Sequence, residues 1–237
     1  MIMKITLLTG RTFNFAAELS MDIKVIKSPL AKRLTLRIDE KNRLPVLTLP
    51  RYCSSRKALE FVNSHRDWIQ NMLAKIPTAG YFENGESISV MGQKIIISHN
   101  SNQRGTTLKD GILSVGGAPE FLHRRVCDFL KKYAAKELYK LSVAKAKIIN
   151  CTIHNITLKD TKSRWGSCSS KRNINYNWRI VLAPFHVIDY LVSHEVAHLA
   201  HQNHSADFWN CVAQLCPDYQ NGRQWLKVRG KELYRWL

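Results

Sequence analysis

No stretch of roughly eighteen apolar residues occurs in this chain, so the sequence offers no candidate for a membrane-spanning helix. None of its six cysteines (Cys53, Cys127, Cys151, Cys168, Cys211 and Cys216) forms a CxxC pair. That spacing removes the usual sign of a thiolate metal knuckle or a redox dithiol, and the thiols are expected to be reduced. Internal repeats and low-complexity tracts are also missing. The opening MIMKITLLTGRTFNF has a short apolar run that turns polar without a small-residue cleavage site. It reads as a first strand rather than a signal peptide, and a cytoplasmic protein is expected.

Acidic residues are scarce: 18 stand against 36 basic ones, a formal net charge of +18 in 237 residues. Most of the excess lies before residue 150. Such a balance favours polyanionic partners through phosphate contacts, or simply gives a well-solvated surface. No readable nucleic-acid-binding motif accompanies it, so nucleic acid is a possible partner rather than an indicated one.

At 45% hydrophobic residues, the chain has enough apolar material for a sizeable core. Period-two segments predict strands at Ile5–Leu8, Ile23–Ile26, Leu34–Ile38 and Val46–Leu49. Ser54 or Ser55 can cap a helix carrying Leu59, Val62, Trp68, Ile69, Met72 and Leu73, stopped by Pro77. Further strand signals cover Ser87–Ser98 and Ile112–Val115, with turns at Gly92 and Gly111. Gly116, Gly117 and Pro119 then punctuate the chain. The reading is a β-rich domain with one helix over 1–117 and a second domain over 118–237.

The second domain opens on a helical pattern from about Glu120 to Lys147, with a wet face of Arg124, Arg125, Lys131, Lys132, Lys136 and Lys140. Strand candidates Ile153–Leu158 and Ile174–Leu182 follow. Pro184 suits the first turn of a helix reaching about His201, and two shorter helices are expected near Ser205–Leu215 and Gly222–Tyr234. The class is α+β.

The chemistry is concentrated in His194-Glu195-Val196-Ala197-His198. Residues four apart share a helix face, so both imidazoles can address one ion, while Glu195 lies about 100° around the helix. There it can reach a water beside the metal without being a ligand. A catalytic zinc needs a third protein ligand and an open position. His201 on a continued helix would lie about 10.5 Å along the axis from His194, whereas ligand nitrogens sit within roughly 4 Å of one another. A chain that turns after the helix can instead return His204. The spacing matches H-E-x-x-H-x-x-G-x-x-H with His201 in the glycine position, and histidine can sometimes take the conformation that glycine supplies there. No Met-turn accompanies it. The bland alternative is an ordinary packed helix, since Ile188, Leu191, Val192, Val196 and Leu199 would bury it with or without a metal. These residues predict one Zn2+ held by His194, His198 and His204, with Glu195 as the catalytic general base.

Around this motif the sequence resembles the YgjP-like metallopeptidases, related to the SprT-like and WLM zincins. The resemblance runs through AKRLTLRID, LPRYCSSRKALEFVNSHRDWI, the block SRWGSCSSKRNINYNWRIVLAPFHVIDYLVSHEVAHLAHQNHSADFW, and PDYQNGRQWL. It implies a zincin-like catalytic domain: a small sheet over an active-site helix, with zinc in the cleft below the edge strand. By resemblance, His194, His198 and His204 match the ligands and Glu195 the catalytic glutamate. Trp165 to Cys168 would line the cleft wall, where a peptide could add as a strand, or form a packed turn bracing the helix. Phe208 and Trp209 are expected to brace His204, and Cys168 is a poor nucleophile. Arg164, His201, Tyr219 and Arg223 could each stabilise an oxyanion, and sequence does not choose among them.

Three functions compete. The first is a metallopeptidase acting on polypeptides, and the SprT-like and WLM relatives act on proteins attached to DNA. The second is a metal-dependent nucleotide phosphohydrolase of the UTP pyrophosphatase kind, since a YgjP-like relative has been associated with nucleoside triphosphate hydrolysis. No phosphate-cradling glycine loop supports it. The third is a nucleic-acid-binding scaffold with an idle metal site, against which the intact HExxH argues.

Overall fold

A computed structural model describes residues 21–39, 42–74 and 80–236. The strand expected at Ile5–Leu8 lies outside these. The chain divides into two compact units, Met1–Pro77 and Thr78–Leu237.

In the first unit, β1 (Lys24–Ser28), β2 (Thr35–Asp39) and β3 (Leu44–Pro50) form a sheet in the order β1-β3-β2. Strand β1 runs parallel to β3 and β2 antiparallel to it. Ile23, Val25, Leu47 and Leu49 bury against Ala58, Val62 and Ile69. The single helix expected here is two, α1 (Ser55–Ser64) and α2 (Arg66–Ala74), broken at His65. Ser54 caps the first, its side chain accepting from the Lys57 amide. At the break the His65 amide bonds back to the Val62 carbonyl and its Nδ1 donates to the Phe61 carbonyl at 2.8 Å. Val62 and Ile69 would share a face on an unbroken helix too, so the apolar period does not reveal the break.

The second unit begins with β4 (Ser87–Val90), β5 (Gln93–Asn100), β6 (Thr106–Lys109) and β7 (Ile112–Gly116), in the order β4-β5-β7-β6. Met91-Gly92 and Asp110-Gly111 turn with positive φ at both residues, the geometry of tight hairpins. The apolar side of this sheet, including Ile88, Ile95, Ile97, Leu113 and Val115, shares one core with α3 (Leu122–Ile148) through Leu122, Val126 and Leu130. That shared core corrects the expected boundary at residue 117. Gly116 and Gly117 end a strand within a unit; they do not separate two.

The rest builds onto α3. Strands β8 (Asn155–Lys159), β9 (Gly166–Cys168) and β10 (Asn173–Asn177) pair in the order β8-β10-β9, leaving β9 at an edge. The strand expected through Leu182 stops at Asn177, whose side chain accepts from the Arg179 amide at 2.9 Å and starts a 3-10 turn over Trp178–Leu182. Helices α4 (Phe185–Ala197), α5 (Ala206–Leu215) and α6 (Tyr219–Arg229) follow, then a 3-10 turn over Gly230–Arg235. Val187, Ile188, Leu191, Val192 and Val196 bury α4 on most of its circumference.

Two buried cations tie this unit together. Lys145 on α3 reaches Asp189 on α4 at 2.8 Å and donates to the Leu215 carbonyl at the end of α5 at 2.7 Å. Arg179 pairs with Asp160 and donates from Nε and Nη2 to the Trp236 carbonyl, each at 3.1 Å. All six cysteines are free thiols. Among the described residues no helix is long and apolar enough to cross a membrane.

Candidate metal centre

Helix α4 sets His194 and His198 one turn apart. It ends at Ala197, earlier than the expected His201, yet His198 keeps helical dihedrals (φ −65°, ψ −14°) as the cap residue. Both rings therefore stay on one face. The next residues wind into a tight turn, with the Leu199 amide on the Val196 carbonyl at 2.9 Å and the His201 amide on the Ala197 carbonyl at 3.0 Å. The chain then doubles back and delivers His204 just before α5.

The three imidazoles converge. Ring centroids are 5.0 Å apart for His194 and His198, 5.1 Å for His194 and His204, and 4.8 Å for His198 and His204. One ring nitrogen from each lies within 4.8 Å of the others. The Nε2 atoms of His194 and His204 approach to 3.3 Å. Nδ1 of His198 lies 3.0 Å from the His201 carbonyl. A carbonyl only accepts, so this nitrogen carries the proton and Nε2 keeps its lone pair for the common centre. His201 thus serves through its backbone. Phe208, fully buried, lies within 5.0 Å of all three rings and supports them from below.

Burial pushes the His194 imidazole down to about 3, helped by His198, His204 and Arg223. His198 is lowered by burial as well, against the His201 carbonyl. These rings present lone pairs at neutral pH. Glu195 is 4% exposed, and its Oε2 is buried without a hydrogen-bond partner among the described residues. Burial pushes its carboxyl up to about 8, opposed by the charge of Arg164. Gly166 on β9 permits this position: a β-carbon there would lie 2.4 Å from Oε1 of Glu195. Three converging imidazole nitrogens and an adjacent buried carboxyl form a donor set that fits a divalent cation of zinc's preferences.

The other candidates separate in space. Trp165 packs against Tyr234 with ring centroids 4.8 Å apart and abuts Gly230, the arrangement of a braced turn. The Cys168 thiol is pushed up to about 11, by burial first and by Glu195 second, so it stays protonated. Arg223 lies over Trp209 at 4.6 Å, and Tyr219 stacks on the same indole at 5.5 Å. Sequence reasoning passed over Tyr190, a buried ring 5.8 Å from His194. Its position one helical turn before His194 was the available signal. The contact between Gly166 and Glu195 was also missed, and no local pattern announces it.

A family model described as YgjP-like, metallopeptidase domain, matches residues 32–229. Among solved structures, the metallopeptidase zymogen of Pyrococcus abyssi abylysin is similar at 20% identity, over 39% of this chain and 95% of that one, with a TM-score of 0.35. Among curated proteins there is no match.

Proposed function

Since this chain belongs to the YgjP-like metallopeptidases, we propose that it is a zinc-dependent peptidase of zincin-like architecture, with Glu195 as general base. The observation that carries the reading is the convergence of three imidazole nitrogens beside a buried carboxyl whose Oε2 has no hydrogen-bond partner among the described residues. His194, His198 and His204 would hold one zinc ion and leave a position open. When bound, zinc supplies Lewis acidity, polarising the scissile carbonyl and making water more acidic.

The remaining steps belong to the chain's own groups. Oε2 of Glu195, with no hydrogen-bond partner among the described residues, accepts a proton from the attacking water and passes it to the departing amide nitrogen. A cation beside it offsets the desolvation that otherwise keeps it protonated. The His201 carbonyl fixes the His198 tautomer. Strand β9 is the edge of its sheet, so an extended peptide adding there would pass Gly166, which lies against Glu195.

The reading extends to substrates associated with nucleic acid. Helix α3 exposes Arg124, Lys131, Lys132, Lys136, Lys140 and Lys147 along one 27-residue element, a surface suited to phosphates.

The test compares zinc-loaded wild type with Glu195→Gln on an unfolded polypeptide such as casein, with and without duplex DNA, and on UTP. Cleavage of casein that falls at least about 100-fold in the variant supports the peptidase. A folded, zinc-loaded wild type that spares every polypeptide, yet releases phosphate from UTP in a Glu195-dependent way, replaces it with the phosphohydrolase.

A further inference from the structure

The charge that develops on the substrate carbonyl needs a counterpart, and two cations stand near the centre. Arg164 acts on Glu195. An oxyanion bound there would share its cation with the general base.

A second cation stands on α6. A β-carbon on Gly222 would fall 2.5 Å from Cβ of Tyr190 and 2.9 Å from the His186 carbonyl oxygen, so α6 lies directly against α4, the helix that carries His194. The next residue is Arg223. Its guanidinium rests over the Trp209 indole at 4.6 Å, and that indole is 5.9 Å from both His194 and His204. Stacking of this kind orients the planar fork while leaving its N–H donors free. Arg229, farther along the same helix, is occupied by Glu232 at 2.9 Å. Arg223 is exposed and forms no ion pair among the described residues.

We propose that Arg223 is a catalytic residue whose guanidinium binds the carbonyl oxygen of the scissile bond as it becomes negative. This rests on the peptidase reading above. Water oxygen bonds to the carbonyl carbon, the carbonyl π pair moves onto its oxygen, and the water proton goes to Glu195. Arg223 holds that oxygen until the pair returns, the C–N bond breaks, and the nitrogen takes the proton from Glu195. The competing groups fit less well. Among the described residues, neither the His201 ring nor the Tyr219 ring has a ring contact with a histidine of the centre.

The experiment uses zinc-loaded wild type, Arg223→Ala and Arg223→Lys with matched zinc content and melting temperature. On a fluorogenic peptide, kcat should fall about 100-fold in Arg223→Ala with KM within about threefold, and Arg223→Lys should recover part of the loss. Binding is measured separately in a Glu195→Gln background, with a phosphinate dipeptide as tetrahedral anion and the matching uncharged peptide. Arg223→Ala should weaken the phosphinate at least tenfold more than the peptide. Equal weakening of both ligands, an unchanged phosphinate affinity, or a raised KM at constant kcat overturns the assignment. The binding arm needs no turnover, so an inert wild type would sink the peptidase reading while the role of Arg223 is still decided.

Discussion

Gly166 and Glu195 are in direct register: the space a β-carbon would take on the edge strand is filled by the glutamate's Oε1, Cδ and Cγ, at 2.4 to 2.7 Å. Gly166 does not have a positive φ, so alanine there is sterically excluded by the carboxylate rather than strained in its backbone. Gly166→Ala should push Glu195 aside and lower kcat by about 100-fold, since misplacement of about 1 Å carries a penalty of that size. Zinc content should stay at one ion per chain by elemental analysis. Simultaneous loss of zinc would place Gly166 in the support of the histidines instead.

His204 comes from a turn and is exposed, whereas His194 and His198 belong to a buried helix. His204→Ala should leave the melting temperature of the metal-free protein unchanged within about 2 °C and weaken zinc binding by more than the roughly 10–100-fold of an outer-sphere change. Competition against a chromophoric chelator reads the affinity. Undiminished binding would remove His204 from the ligand set.

How legible this centre was depended on distance along the chain. His194, Glu195 and His198 are neighbours on one helix turn, so spacing alone placed them on adjoining faces. His204 followed from the argument that a continued helix cannot bring a third ring to the ion, and the turn closed by His201 performs that return. Gly166 and Gly222 are different. Each matters because of what another element presses against it, and a sequence shows a glycine without showing its neighbour. The boundary at Gly116 and Gly117 misled for the same reason: local punctuation was visible, while the burial of Ile97 and Val115 in the core shared with α3 was not. Arg164 and Arg223 were chemically equivalent until the structure set one by Glu195 and the other over Trp209.

The metal-free protein should lose stability toward both acid and alkali. His194 is held down near 3, against 6.5 for a free imidazole, so the unfolded chain takes the proton first. Its contribution is complete above pH 6.5 and is lost as pH falls toward 3. Glu195 is held up near 8, against 4.5, so its folded form keeps a proton the unfolded form releases. That contribution is complete below pH 4.5 and is lost as pH rises through 8. Melting temperatures of the metal-free protein should therefore decline between pH 6.5 and 8. Glu195→Gln should abolish the decline, and zinc should reduce it. A wild-type profile flat over that interval would contradict the burial of the carboxyl.

If the α3 face meets phosphates, binding to a random-sequence DNA duplex should weaken steeply with salt. Each phosphate contact contributes about 0.9 to the slope of log K against log salt. Lys131→Ala, Lys132→Ala and Lys136→Ala together should lower the slope by up to about 3 without changing cleavage of a DNA-free peptide. A slope identical to wild type would place any polyanion elsewhere on the +18 chain.

Lys145 links α3 to both segments that frame the centre, pairing with Asp189 on α4 and donating to the Leu215 carbonyl that ends α5. Its side chain is 11% exposed and that of Asp189 23%, so solvent replaces little of the interaction when one partner is removed. Lys145→Met should destabilise by about 3 kcal/mol, mostly because Asp189 keeps a charge without its partner. Asp189→Asn added to Lys145→Met should restore a large share of the loss, because the amide removes that charge. Chemical denaturation of the four proteins in the cycle gives the coupling. Additive losses would show that Lys145 acts through its bond to Leu215 and its buried methylenes, and that the ion pair itself contributes little to the helix that presents His194 and His198.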